Sequence, residues 1–216
     1  MKKVTKEFLI EKKACINGYE WWCENCQGLS NVEQIKKLMY GPDINWASWL
    51  IVRIFNTKQK QSYAIFAALQ VIDIFEKKYP KDKRPRNAIK AAIEVLKKST
   101  VKNKKAAYAA ADAAAAAAYA ADAAAYAAAA ADAAADAAAY AAYAAAYAAA
   151  AAAAAAAYAA ADAAADDAAY AAAYAAYAAY AAADADVAAA KRKMKIKILN
   201  YGIQMLEGKS VYDVSK

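Results

Sequence analysis

From residue 5 to residue 97, apolar side chains recur three and four positions apart, and no stretch alternates apolar with polar. That rhythm places side chains on one face of an α-helix, whereas a strand needs a period of two. Thr5 stands ahead of "KEFLIEKK" as an N-cap, a turn at Asn17-Gly18 leads to the aromatic "YEWWCENC", and Asn31 caps "VEQIKKLM", which Gly41-Pro42 ends. "DINWASWLIVRIF" then puts Trp46, Trp49, Leu50 and Ile54 at helical spacing. "SYAIFAALQVIDIFEKKY" does the same with Tyr63, Phe66, Leu69, Ile72 and Phe75, and "PKDKRPR" is the loop before a helix beginning near Asn87. The pattern predicts four or five short helices over 1–105, a head long enough to bury its own core.

Between 106 and 190 the pattern changes kind: alanine, tyrosine and aspartate are the only residue types apart from Val187. Alanine is the strongest helix former and loses no side-chain entropy on folding, and neither Gly nor Pro interrupts the tract. One unbroken rod would run roughly 130 Å at ~1.5 Å per residue, so the polar positions are where breaks should show. Tyr108, Asp112, Tyr119, Asp122 and Tyr126 are separated by 4, 7, 3 and 4 and share a face. Asp132 follows after six, out of phase by about a third of a turn. Asp132, Asp136, Tyr140, Tyr143 and Tyr147 resume the rhythm, and after ten alanines it continues from Tyr158 to Asp184. Aspartate is a good N-cap, so Asp132 and Asp166-Asp167 mark helix starts. The expectation is three helices, near 105–129, 132–164 and 167–207, with Gly208 stopping the last.

The fold class predicted is therefore all-α. A small helical head (1–105) precedes long Ala-rich helices packed as an antiparallel bundle or hairpin (106–190), and a basic C-terminal helix (191–216) continues and closes the bundle. Each long helix carries a bare alanine face and a Tyr/Asp face. Bare faces let backbones approach closely and are easily shared between chains, so a homo-oligomer is expected. Tyr108–Tyr119 and Tyr147–Tyr158 are both eleven apart, a spacing seen in ice-binding alanine helices, but the threonine that goes with it is absent from the tract.

Charge sharpens this picture. Over 1–105, 22 cations face 10 carboxylates, giving +12; over 106–190 none faces 9, giving −9; over 191–216 seven face two, giving +5. The net +8 thus hides an acidic rod between basic ends, an arrangement suited to head-to-tail contacts and, at the head, to phosphate-bearing partners. Residues 137–161 are uncharged and long enough to cross a bilayer, but one methyl group per residue gives too little transfer energy. No membrane association is expected. Cys15, Cys23 and Cys26, an odd number with no secretory signal ahead of them, predict a reducing, cytoplasmic setting and buried thiols rather than a zinc or redox site at Cys23-x-x-Cys26.

Candidate chemistry is sparse. With no histidine, neither a Ser-His-Asp nor a Cys-His arrangement nor a His-based metal site can form. No Gly-rich phosphate loop exists, and the carboxylate pairs Asp132/Asp136 and Asp162/Asp166 lack the histidines that di-metal helical sites recruit. No enzyme, cofactor or metal is expected. Binding remains. Lys83, Arg84 and Arg86, with Lys81, form the densest cationic cluster, placed as a phosphate clamp beside helix-terminal amides. Arg53 follows Trp49 by one turn and could join an aromatic wall, and the face of Asp136, Tyr140, Tyr143 and Tyr147 could stack on flat groups and accept hydrogen bonds.

"ACINGYEW", "NWASWL" and "RPRNAIKAAIEVL", followed by an Ala-rich tract and a short closing helix, resemble an alanine-rich immunity-protein family of phage and bacterial genomes. Members of that family often place Arg in the tract, and this chain places none there. The resemblance implies host–phage or toxin conflict and carries no catalytic signature. Two functions are consistent with the residues. One is a non-catalytic protein, phage or mobile-element encoded, that sequesters a phosphorylated small molecule such as a nucleotide immune signal. The other is an immunity or inhibitor protein that covers a toxin or defence enzyme with its acidic, Tyr-rich helices. Nucleic acid is a poor partner for the long acidic surface. Sequestration predicts tyrosines turned into a pocket with at least one arginine; an inhibitor predicts them outward on one surface.

Overall fold

The structure is a computed structural model that describes residues 3–129, 147, 150–158, 165–181 and 187–209. Its head holds seven helices rather than four or five: α1 (Lys6–Glu11), α2 (Ile16–Asn25), α3 (Asn31–Met39), α4 (Ile44–Ile54), α5 (Thr57–Leu69), α6 (Ile72–Lys78) and α7 (Arg84–Lys97). The alanine-rich part contributes α8 (Val101–Ala129), a helical stretch α9 (150–158), and α10 (Ala165–Ala181), and α11 (Val187–Leu206) follows. The protein is all-α, with no strand among the described residues.

Local chemistry explains most boundaries. Thr5 caps α1 by accepting from the Phe8 amide. Ser30, not Asn31, caps α3: its hydroxyl accepts from the Glu33 amide while the Glu33 carboxylate accepts from the Ser30 amide, a reciprocal capping box. Asn31 instead ties the N-terminal segment down by accepting from the Val4 amide. Asn56 and Gln59 form a second capping box at α5. The apolar run read as one helix over 62–79 breaks at Gln70-Val71 into α5 and α6, and α7 begins at Arg84 with Pro85 in its first turn rather than near Asn87.

Two helix ends adopt the same left-handed closure. After α11, Gly208 has φ +67°, and the Lys209 and Gly208 amides reach back to the carbonyls of Gln204 and Met205. After α1 the equivalent bonds run from Ala14 to Leu9 and from Lys13 to Ile10, but the left-handed residue is Lys13, at φ 57°. A side chain there costs about 1 kcal/mol relative to glycine, and Lys13 is the one non-glycine residue with positive φ among those described.

The head core is conventional: Ile35, Leu50, Ile51, Ile65, Ile72, Phe75 and Ile89 are all buried. The alanine helices lie on it rather than projecting from it. α8 packs along α7, and α10 packs on α5, α4 and α11. Asn103 fixes the α7–α8 corner, its side chain donating to the carbonyls of Glu94 and Lys98. The single helix expected over 167–207 is instead two, α10 and α11, packed on one another.

The ten-alanine run is explained by burial. Residues 152–157 are buried at every consecutive position, more than a full turn, so α9 has no solvent face among them. On α8, by contrast, Ala107, Ala111, Ala114 and Ala118 are buried at 4, 3 and 4 spacing, one face only. Tyr147 meets Tyr119 at 6.4 Å between ring centroids and Tyr158 meets Tyr108 at 6.3 Å. α9 therefore runs antiparallel to α8, and the two eleven-residue spacings are equal because the tyrosines pair across this seam at both ends.

Candidate functional site

Two concave regions involve residues singled out in the sequence. The first lies on the alanine layer. Tyr119 of α8, Tyr147 and Tyr158 flanking and ending α9, and Tyr170 and Tyr174 of α10 rim a groove of about 150 Å³ floored by alanines such as Ala115, Ala151 and Ala155. Its tyrosines divide: Tyr147, Tyr158 and Tyr174 are half-buried against the alanine layer, and the others face solvent. Tyr119 is 67% exposed and Tyr170 58%, and Tyr108 and Tyr177 are exposed on the same helices. The Tyr158 hydroxyl donates to the Asp112 carboxylate at 2.5 Å, so one carboxylate is fixed beside the tyrosine pair at this end. No Lys or Arg lines the groove among the described residues. Of the face proposed from sequence, Tyr147 is here; Asp136, Tyr140 and Tyr143 lie outside the described residues.

The second is in the head. Trp22 of α2 and Trp46 and Trp49 of α4 wall a cavity of about 320 Å³, closed below by Leu9, Leu38 and Leu50. Lys13, Cys15, Asp43 and Asn45 supply its polar atoms. Trp22 is held by a buried bridge: its indole N–H donates to Gln34 at 2.7 Å, and the Gln34 amide donates to the Leu29 carbonyl at 2.9 Å. The Trp46 ring lies 6.0 Å from Trp21 and against Gly18, where a Cβ would come within 3.2 Å of it. Arg53 covers Trp49 at 4.2 Å from guanidinium carbon to ring centroid and donates to the Trp49 carbonyl. Arg53, expected to join an aromatic wall, thus lies on Trp49 but is not among the residues that line the cavity.

The phosphate clamp is where the geometry departs most from the sequence reading. Arg84 and Arg86 sit in the first turn of α7, and their guanidinium groups are already engaged. Arg84 grips the Asp82 carboxylate with Nε and Nη2, the latter at 2.6 Å, and the Arg84 amide donates to the same carboxylate. Asp82 thereby occupies the place an anion would take at this helix start, and its carboxyl is held below its ordinary range by that hydrogen bonding. Arg86 binds Glu76 at 2.6 Å and Asp73 at 3.0 Å, and Lys83 lies 3.9 Å from Glu76. The Arg86 hydrogen bond depresses the Glu76 carboxyl. Lys83, Arg84 and Arg86 brace the α6–α7 corner, and none of them lines either concave region.

Sequence reasoning also missed Trp22 and Gln34. The available signal was Gln34 itself, a polar residue one turn ahead of the core residue Leu38 on the same helical face. The three cysteines are free: Cys15 is exposed, Cys23 half-buried, and Cys26 buried, where desolvation raises its thiol pKa and keeps it protonated. No helix among the described residues is long and apolar enough to cross a membrane. Comparison with protein-family models, with curated proteins and with solved structures gives no match.

Proposed function

We propose that the protein is a non-catalytic binding protein that covers a basic patch on another protein with the tyrosine-rimmed face of α8, α9 and α10. The observation that carries this reading is the solvent-facing pair Tyr119 and Tyr170 on the rim of an open alanine-floored groove, backed by the half-buried Tyr147, Tyr158 and Tyr174. Tyrosine presents large, stiff, amphipathic area at low entropic cost, which is why it is enriched at the centres of interfaces. A groove of about 150 Å³ is smaller than usual small-molecule sites, which start near ~300 Å³, but it accepts one inserted side chain. A lysine or arginine from the partner would lie against tyrosine rings and near Asp112. The nine carboxylates and absence of cations in 106–190 favour the same kind of partner. The resemblance to immunity proteins points the same way.

Site-specific photo-cross-linking tests this. A benzophenone amino acid at position 119 or 170 is expected to capture one discrete polypeptide in the cells where the protein acts. Capture should weaken at least tenfold in a Tyr158→Ala, Tyr174→Ala background and fall with added salt. Cross-linking that is diffuse, or that ignores the tyrosine substitutions, would remove the face from the argument.

Sequestration of a phosphorylated small molecule is the second reading. Its proposed clamp is committed to Asp73, Glu76 and Asp82, so its support comes from another place, the aromatic cavity beside Trp49.

A further inference from the structure

The cavity in the head has three properties that packing alone does not require. Its walls are rigid and aromatic. Trp22 is fixed by the Gln34 bridge, Trp46 by Trp21 and Gly18, and Trp49 by Arg53. Large flat surfaces held in place before binding are what a planar ligand needs, because little ordering is left to do. Its volume, about 320 Å³, falls in the range of small-molecule sites of roughly 300–1,000 Å³.

The third property is the placement of charge. The chain turns into the cavity through the left-handed residue that ends α1. That residue is a lysine where glycine would be unstrained. Lys13 lines the cavity, and its ammonium group takes part in no ion pair among the described residues. Across the cavity, Asp43 caps α4 by accepting from the Asn45 amide, and Lys195 of α11 donates to the Asn45 side chain. Lys13 and Asp43 thus line the polar end with opposite charges, while the Lys195 ammonium lies behind Asn45, outside the cavity lining. The carboxylate oxygen of Asp43 not used in capping is available to a ring N–H. The left-handed turn closes α1 and brings Lys13 to the cavity wall.

We infer that the tryptophan cavity is a binding site for a flat aromatic molecule of about two fused rings carrying one anionic group. The rings lie among Trp22, Trp46 and Trp49, and the anion faces Lys13. This site lies in the head and stands whether or not the tyrosine face binds a protein.

A matched pair of probes tests it on the full-length protein: indole-3-acetate and its uncharged analogue indole-3-acetamide, titrated by calorimetry, with adenosine 5′-monophosphate as a third probe. Indole-3-acetate is expected to bind 1:1 and about tenfold more tightly than the amide, the difference of one charge-assisted contact. Lys13→Gly is expected to erase that difference while raising Tm, since it removes the charge and the strain together; Lys13→Arg is expected to retain it. Separating stability from affinity in this way excludes mere unfolding as the cause of a loss. Binding of the monophosphate with the same Lys13 dependence would place the anion at the end of a sugar and join the site to the sequestration reading. Acid-only binding would place it next to the rings. The proposal is overturned if no probe saturates below about 1 mM, if acid and amide bind equally, or if Lys13→Gly leaves the acid's affinity unchanged.

Discussion

At the scale of single residues, the fold is decided where small side chains let helices touch. Gly202 lies inside α11, little more than a turn from its C-terminal end, where by propensity alone alanine would be better by about 1 kcal/mol. A Cβ there would come 2.7 Å from Ile51 Cδ1 and 3.0 Å from both Phe55 Cζ and Tyr63 Cε2. All three neighbours are buried, Phe55 and Tyr63 in edge-to-face contact, so none can swing away. Overpacking of this kind costs about 1–3 kcal/mol and outweighs the propensity gain. Gly202→Ala is therefore expected to lower stability by about 1–2 kcal/mol in urea denaturation, and a more stable variant would show that α11 is not seated against α4 and α5 as described. The clamp arginines teach the opposite lesson. Arg84 and Asp82 are two residues apart in sequence, so their pairing was open to view. Arg86 finds Glu76 and Asp73 only because α6 and α7 fold back on one another. A cation-rich loop reads as a binding site until its carboxylates are counted.

At the scale of helices, the Tyr/Asp rhythm was legible on α8 because there it reports a solvent-facing stripe, with Tyr108, Asp112 and Tyr119 all exposed. Where the rhythm stopped, the sequence carried a message of another kind. The ten alanines from 148 to 157 are not a neutral spacer: Ala152, Ala153, Ala156 and Ala157 have no exposed surface, and Ala154 and Ala155 show only the little that floors the tyrosine groove. The contrast is measurable by a leucine scan. Leucine at Ala152, Ala153, Ala156 or Ala157 is expected to destabilise by about 1–3 kcal/mol at each position regardless of phase. On α8 the cost should oscillate, high at Ala111 and Ala114 and near zero at the exposed Ala109. An oscillating scan on α9 would mean that it has a free face after all. The division into α10 and α11 left no mark in composition, because alanine continues on both sides with neither Gly nor Pro. The tryptophan cavity was half legible. Spacing put Trp46 and Trp49 on one face, but the third wall comes from Trp22 on another helix, a tertiary fact that periodicity does not encode.

At the scale of the whole molecule, composition divides the chain sharply and packing does not. α10 lies on α4 and α5 of the head, and α11 reaches α3, α4, α5 and α10. Tyr201 stacks on Phe66 with ring centroids 3.9 Å apart, Ile198 and Leu199 are buried, and Glu207 pairs with Lys36 at 2.7 Å. The alanine helices bury little apolar area per residue and gain little from one another. Their close seating on a conventional core is what stabilises them as tertiary structure rather than as isolated rods. Loss of the head core should then release the alanine layer, and the two should unfold together. The sequence provides separate reporters for this test, since all four tryptophans lie in 1–105 while 106–190 has tyrosine as its only aromatic residue. Tryptophan emission follows the head, and ellipticity at 222 nm is weighted toward the long helices. Coincident urea transitions with a single midpoint are expected, as for one cooperative unit. Tryptophan signals lost first, with helicity persisting to higher urea, would make the alanine tract a separately stable body and would divide the chain where its composition does.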